Sequence, residues 1–168
     1  MPLHLQEAAQ SPVPLCIAEH AARGDHAVGL NENKEVTMAN VKLGTKAVGS
    51  IVKIKVNGAS KDFIVVQQGN PNTSTYDSSC AGTWLLMKDI YTTSTFGNNN
   101  SYKDSSIHTY LNGTFYNLID SNIRAAIKQV KIPYQNGTGS GGSLATGSNG
   151  LSTKVFLLSG YEVGWTTS

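Results

Sequence analysis

The sequence predicts an α+β domain: an N-terminal β-hairpin and further short antiparallel strands packed on two helices. Three observations carry this. Over 105–119, Ile107, Tyr110, Leu111, Phe115, Leu118 and Ile119 recur at helical spacing, leaving a bulky stripe that needs a sheet or a second helix to cover it. Lysines alternate with β-branched residues in GSIVKIKV (49–56), and DFIVV (62–66) returns after Asn57-Gly58, the pair that best favours a two-residue hairpin turn. TWLLMK (83–88) and KVFLL (154–158) are continuous apolar runs short enough for buried strands, and Trp84 is large enough to anchor a core.

The remaining elements follow from local chemistry. Residues 67–82 run through Gly69-Asn70-Pro71 and a Ser/Thr/Asn cluster and read as a surface loop, as does the asparagine-rich stretch 92–104. Asp104 or Ser105 can cap the main helix, and Asn112-Gly113 in its middle costs about 1 kcal/mol relative to alanine, which predicts an irregularity there. Asp120 or Ser121 caps a second, shorter helix with Ile123, Ala126, Ile127 and Val130 on one face, so the two helices form a corner. Residues 131–134 read as an edge strand, because Pro133 cannot donate to a ladder. Residues 135–150 hold six glycines and read as a flexible excursion or binding loop. Ser159 and Glu162 then have the spacing of a capping box, announcing a helix.

Residues 1–37 differ in character from the rest. They contain His4, His20, His26 and Cys16, lack a strand or capped-helix pattern, and carry two basic against five acidic residues. Lys34-Glu35-Val36 can be encoded by a ribosome-binding sequence placed just before Met38. The expectation is therefore a non-native or disordered leader over 1–37 and a domain over 38–168. The helix signal at 159–162, close to Ser168, further predicts a chain truncated at its C-terminus.

Composition narrows the function classes. The chain has 168 residues, 39% of them hydrophobic and 14% charged, which suits one ordinary domain with long polar loops. No apolar run approaches the roughly 20 residues needed to cross a bilayer, and 1–22 is interrupted by acidic and histidine residues where a signal peptide wants an apolar block, so neither a membrane nor an export signal is expected. After Met38 the basic groups are lysines with Arg124 the single arginine, spread without a stripe, so nucleic acid is not an expected partner.

Catalytic chemistry finds little support. Cys16 and Cys80 belong to no Cys/His cluster and predict no disulfide framework, and Cys80 reads as a small structural residue beside a strand. His108 reads as a structural histidine near the helix start rather than an oriented base. Residues 137–150 are not a phosphate loop, having no G-K-[ST] and no strand-to-helix setting. The N-x-[ST] sequences at Asn72, Asn99, Asn112 and Asn136 have little meaning if the ribosome-binding sequence before Met38 makes this a bacterial or phage chain.

The segments VGSIVKIKVNG (48–58), DFIVVQQGNP (62–71), YDSSCAGTWLLMKD (76–89), SIHTYLNGTF (106–115), IKQVKIPY (127–134) and KVFLLSGYEVGW (154–165) together resemble a domain of unknown function common in bacteria and their prophages. The resemblance covers the first half of that domain. More distantly it is similar to the fold of C-type lectins and formylglycine-generating sulfatase modifiers, which implies an incomplete lectin-like α+β domain with ligand-facing loops. The family's phage members look like tail-associated proteins. This implies a non-enzymatic binding or structural module of a phage or prophage tail or a bacterial surface protein. Its partners would be a cell-surface glycan or protein, and other tail or surface proteins. The implied contacts are Asn70, Tyr76, Asp77, Asn98, Asn99, Asn100 and Tyr102. An enzyme related to the sulfatase modifiers is the alternative, and an intracellular protein a third. No cofactor is expected: after Met38 only Cys80 remains of any copper-binding cysteine pair, and no lectin calcium motif is present.

Overall fold

The computed structural model describes residues 14–17, 43–97, 101–136, 142–159 and 162. The class is α+β. Its main sheet is antiparallel, with β1 Pro14–Ile17, β2 Ile51–Val56, β3 Ala59–Gln68 and β4 Thr83–Met87 in the spatial order β1-β4-β3-β2. The expected hairpin is β2–β3, registered from Ile51 opposite Ile64 to Val56 opposite Ala59. Asn57 and Gly58 turn with φ of 51° and 73°, the positive values that a type I′ loop requires and that these two residues tolerate best.

Residues 1–37 do contribute a strand, against expectation. Pro14–Ile17 pairs antiparallel with β4, from Pro14 opposite Leu86 to Ile17 opposite Thr83. The Leu15-Cys16-Ile17 run is too short to show a period, and proline is tolerated here because β1 is an edge strand and Pro14 its first residue. The rest of the leader lies outside the described residues.

β4 explains its own unbroken apolar sequence. Leu85 and Met87 enter a core with Phe63, Val65, Val56, Leu111, Phe115 and Ile119. Trp84, on the opposite face, enters a second core with Tyr76, Cys80, Val130, Ile132, Leu151 and Phe156. A strand covered on both faces has no polar side to show. A bulge between Val65 and Gln67 shifts the β3–β4 register.

The stripe over 105–119 is helical but not uniform. It comprises α1 Ser106–Tyr110, a π-helical turn Leu111–Phe115 and α2 Tyr116–Leu118. The irregularity expected at Asn112-Gly113 is this turn. Ser105 caps α1 by accepting the His108 N–H at 3.1 Å, and Asp120 caps α3 Ser121–Ala126 by accepting the Asn122 N–H at 3.0 Å. Between α2 and α3 the chain is extended, and Ile119 bridges Val56. Asn57 N–H donates to the Leu118 carbonyl at 2.7 Å, and Asp120 N–H to that of Lys55 at 3.0 Å. The helical corner is thus stitched to the end of the hairpin.

Four expectations for the C-terminal part need correction. Val130 is not on the second helix: α3 ends at Ala126, Ile127 is already extended, and Val130 opens β5 Val130–Ile132. The single edge strand over 131–134 is two strands, because Pro133 interrupts the ladder: β5 pairs with β8 Leu151–Thr153, and β6 Tyr134–Asn136 pairs with β7 Ser143–Ala145. The glycine-rich excursion is therefore partly built. Gly150 packs so tightly that a Cβ there would lie 2.7 Å from the Ile132 carbonyl oxygen. Residues 154–158 are buried at Val155 and Phe156 but carry only a single bridge residue, Val155, rather than a strand; the backbone of Lys154 and Val155 bonds to the side chain of Asn112.

Asn112 uses its whole amide. Nδ2 donates to the carbonyls of His108 (3.1 Å) and Val155 (2.9 Å), while Oδ1 accepts the Thr153 hydroxyl (3.1 Å) and the N–H groups of Lys154 (2.9 Å) and Val155 (3.2 Å). Two backbone N–H groups facing Oδ1 fix the orientation of the amide.

Candidate functional site

The turn at Pro133, which hands the chain from β5 to β6, opens a cleft of about 540 Å³. Ile132, Pro133, Tyr134 and Gln135 form one wall, Phe96 and Tyr102 another, and Leu157, Leu158, Ser159 and Glu162 the third. A volume in the roughly 300–1,000 Å³ range with mostly apolar walls and few polar groups is what small-ligand sites share.

Each wall is held from behind. Tyr102 follows Ser101 in a short 3-10 turn, Tyr102–Asp104, and its phenolic oxygen accepts the Leu157 N–H at 2.9 Å. Its ring meets His108 edge-on, with centroids 5.2 Å apart, and Phe96 at 6.5 Å. Burial pushes the Tyr102 phenol well above the ordinary tyrosine range, with Glu162 adding to the shift. The phenol is therefore a neutral hydrogen-bonding group.

Glu162 is the one carboxylate among the described residues on the walls. It closes the expected capping box: Oε2 accepts the Ser159 N–H at 2.6 Å, and Ser159 Oγ accepts the Glu162 N–H at 3.3 Å. Oε1 accepts the hydroxyl proton of Tyr76. Tyr76 itself is buried edge-on against Trp84 at 5.6 Å, and Trp84 against Phe156 at 5.3 Å, with the Trp84 indole N–H donating to the Cys80 carbonyl at 2.9 Å. A stack of core aromatics thus reaches out through one phenol to orient a surface carboxylate.

The residues expected to contact ligand are distributed unevenly about this cleft. Tyr102 lines it, and Tyr76 supports Glu162 from the second core. Asn70 and Asp77 lie in the loop before β4 and serve that loop. Asn70 Nδ2 donates to the Asp77 carbonyl at 2.9 Å and its Oδ1 accepts the Asn72 N–H at 3.0 Å. Asp77 caps the turn Ser78–Cys80, and the Ser79 hydrogen bonds hold its carboxyl below the usual range. Asn98, Asn99 and Asn100 lie outside the described residues. Sequence reasoning missed Phe96, Tyr134, Leu157 and Leu158, and took Glu162 only as a cap; the Ser159-x-x-Glu162 spacing was its one visible signal.

Cys80, the only thiol after Met38, is fully buried, donates to the Lys131 carbonyl at 3.2 Å, and has its pKa raised by burial. Among the described residues no group of His, Cys, Asp and Glu could hold a metal ion, and no helix is long and apolar enough to cross a membrane.

No curated protein and no solved structure matches the chain. A family model does, over residues 81–168, which take in β4, the helical corner, both small sheets and every wall of the cleft, while the β2–β3 hairpin precedes the match. By that match the chain belongs to the family defined by the domain of unknown function DUF6273.

Proposed function

We propose that this chain is a non-enzymatic recognition module of a phage or prophage tail or a bacterial surface protein, and that it meets a cell-surface glycan or protein at the cleft between Tyr102, Tyr134 and Glu162. The observation that carries the reading is Glu162. A carboxylate set among aromatic and aliphatic walls, and oriented by Tyr76 and the Ser159 amide, is a recognition feature that a merely structural cap does not need. The resemblance to lectin-like domains supports the same reading, since in that fold long loops beside irregular antiparallel sheets face the ligand. Buried Cys80, bonded to a backbone carbonyl, offers no support to the sulfatase-modifier alternative.

The test is glycan-array and peptide-array binding by the whole chain, repeated with Tyr134→Ala. The expected result is specific binding that falls about tenfold or more when the aromatic wall is removed. Binding unaffected by that change and mapped instead to Asn70 and Asp77 would move the site, and silence on both arrays would sink the reading.

A further inference from the structure

We propose that the ligand taken by this cleft is a cation on an apolar stem, the lysine or arginine side chain of a partner protein. This rests on the reading of the cleft as a ligand site and goes further by naming the ligand's class. The walls are dominated by Phe96, Tyr102, Tyr134, Leu157 and Leu158, and none of the described residues lining the cleft is basic. Glu162 therefore presents its charge to the cavity without a cation from the cleft wall beside it. A carboxylate has about four acceptor positions; Tyr76 and Ser159 occupy one on each oxygen, leaving room for two further donors.

An ammonium or guanidinium supplies those donors together with the opposite charge. Its methylene stem would lie along the leucines, and aromatic faces attract a cation near their rings. A sugar is a poorer match: its many hydroxyls need many partners, and beside Glu162 the described lining residues offer only the side chains of Gln135 and Ser159 and the phenols of Tyr102 and Tyr134. Charge and polarity thus select the protein arm of the proposed function over the glycan arm.

The experiment titrates the whole chain with Nα-acetyl-lysine-N-methylamide, its arginine and norleucine counterparts, and a set of methyl glycosides, following the Tyr102, Tyr134 and Glu162 resonances. The lysine or arginine probe should bind about tenfold or more tightly than norleucine, more weakly as salt rises, and with no preference in Glu162→Gln. Because Glu162 also braces Tyr76, a second variant guards against misfolding: Leu158→Lys places a cation in the cleft wall and should abolish binding of the basic probes. Equal binding of norleucine, or binding of a glycoside instead, overturns the cationic class and leaves the cleft as a ligand site. No shift with any probe in a natively folded chain, or a cleft found occupied by residues 163–168, overturns both.

Discussion

Asn112 and Val155 are joined by two hydrogen bonds running in opposite directions: Nδ2 donates to the Val155 carbonyl at 2.9 Å, and Oδ1 accepts the Val155 N–H at 3.2 Å. The side chain in the π-helical turn thereby pairs with the backbone at 154–155 as a neighbouring strand would. Asn112→Ala removes the acceptor of the Lys154 and Val155 amides, while the Val155 carbonyl keeps the Thr153 hydroxyl at 3.0 Å. We expect a loss of about 2–4 kcal/mol, at a cost per orphaned buried group of roughly 1–3 kcal/mol, read as a lowered urea midpoint. A loss below about 1 kcal/mol would show that water replaces the amide.

His108 should make the fold sensitive to mild acid. Its Nδ1 faces the Lys103 carbonyl at 3.1 Å, so the proton sits there, and Nε2 is buried with no partner among the described residues. Burial of the ring holds its pKa below the ordinary histidine value, against smaller opposing effects of Lys103 and Asp104. The sign follows: below about pH 6.5 the unfolded chain takes a proton that the folded chain refuses, so stability is full above that pH and declines as pH falls through it. Urea midpoints at pH 7.5 and 5.5 should differ less in His108→Phe than in the natural chain. Asp62, held low by its hydrogen bond to Lys53, favours the fold at neutral pH, and that contribution is lost only as pH falls through and below the carboxylate range.

Cys80 should be inert to thiol reagents in the native state. Its burial and its bond to the Lys131 carbonyl oppose formation of the thiolate. A chromogenic disulfide reagent at pH 8 should label it only on unfolding, and rapid native-state labelling would restore the case for a reactive site there.

A chain started at Met38 would leave one edge of β4 without its partner, since Pro14–Ile17 pairs along that edge. Hydrogen exchange at those amides of Thr83–Met87 that face β1 should be faster in residues 38–168 than in the whole chain, while β2–β3 amides keep their protection. Equal protection in the two chains would show that the pairing contributes nothing.

Legibility in the sequence followed the range of the interactions. The β2–β3 hairpin could be read because Asn57-Gly58 and the flanking alternation are neighbours, and α1 because its cap and stripe are local. The uniform apolar run of β4 announced burial without revealing that Leu85 and Trp84 face different cores. Three-residue strands such as β5 and β8 have too few positions to show a period, and Pro133 marks a change of partner that only the folded chain defines. Asn112 reads locally as a weak point in a helix, because its strand-like partner lies 43 positions away. Glu162 reads as a cap for the same reason, its Tyr76 partner being 86 positions distant. The cleft has no motif of its own: Phe96, Tyr102, Tyr134 and Leu157 are unremarkable singly and meet only by topology.

The bridge from Val56 to Ile119 has a kinetic consequence. The β2–β3 turn closes over a few residues, whereas the helical corner can dock only after the long intervening segment has been looped back, at an entropic cost that grows with its length. Folding should therefore nucleate in the hairpin, with α1 forming and reforming until the corner finds the end of β2. Val52→Ala should slow folding, whereas Ile119→Val should chiefly speed unfolding; the reverse pattern in stopped-flow chevrons would place the corner in the nucleus.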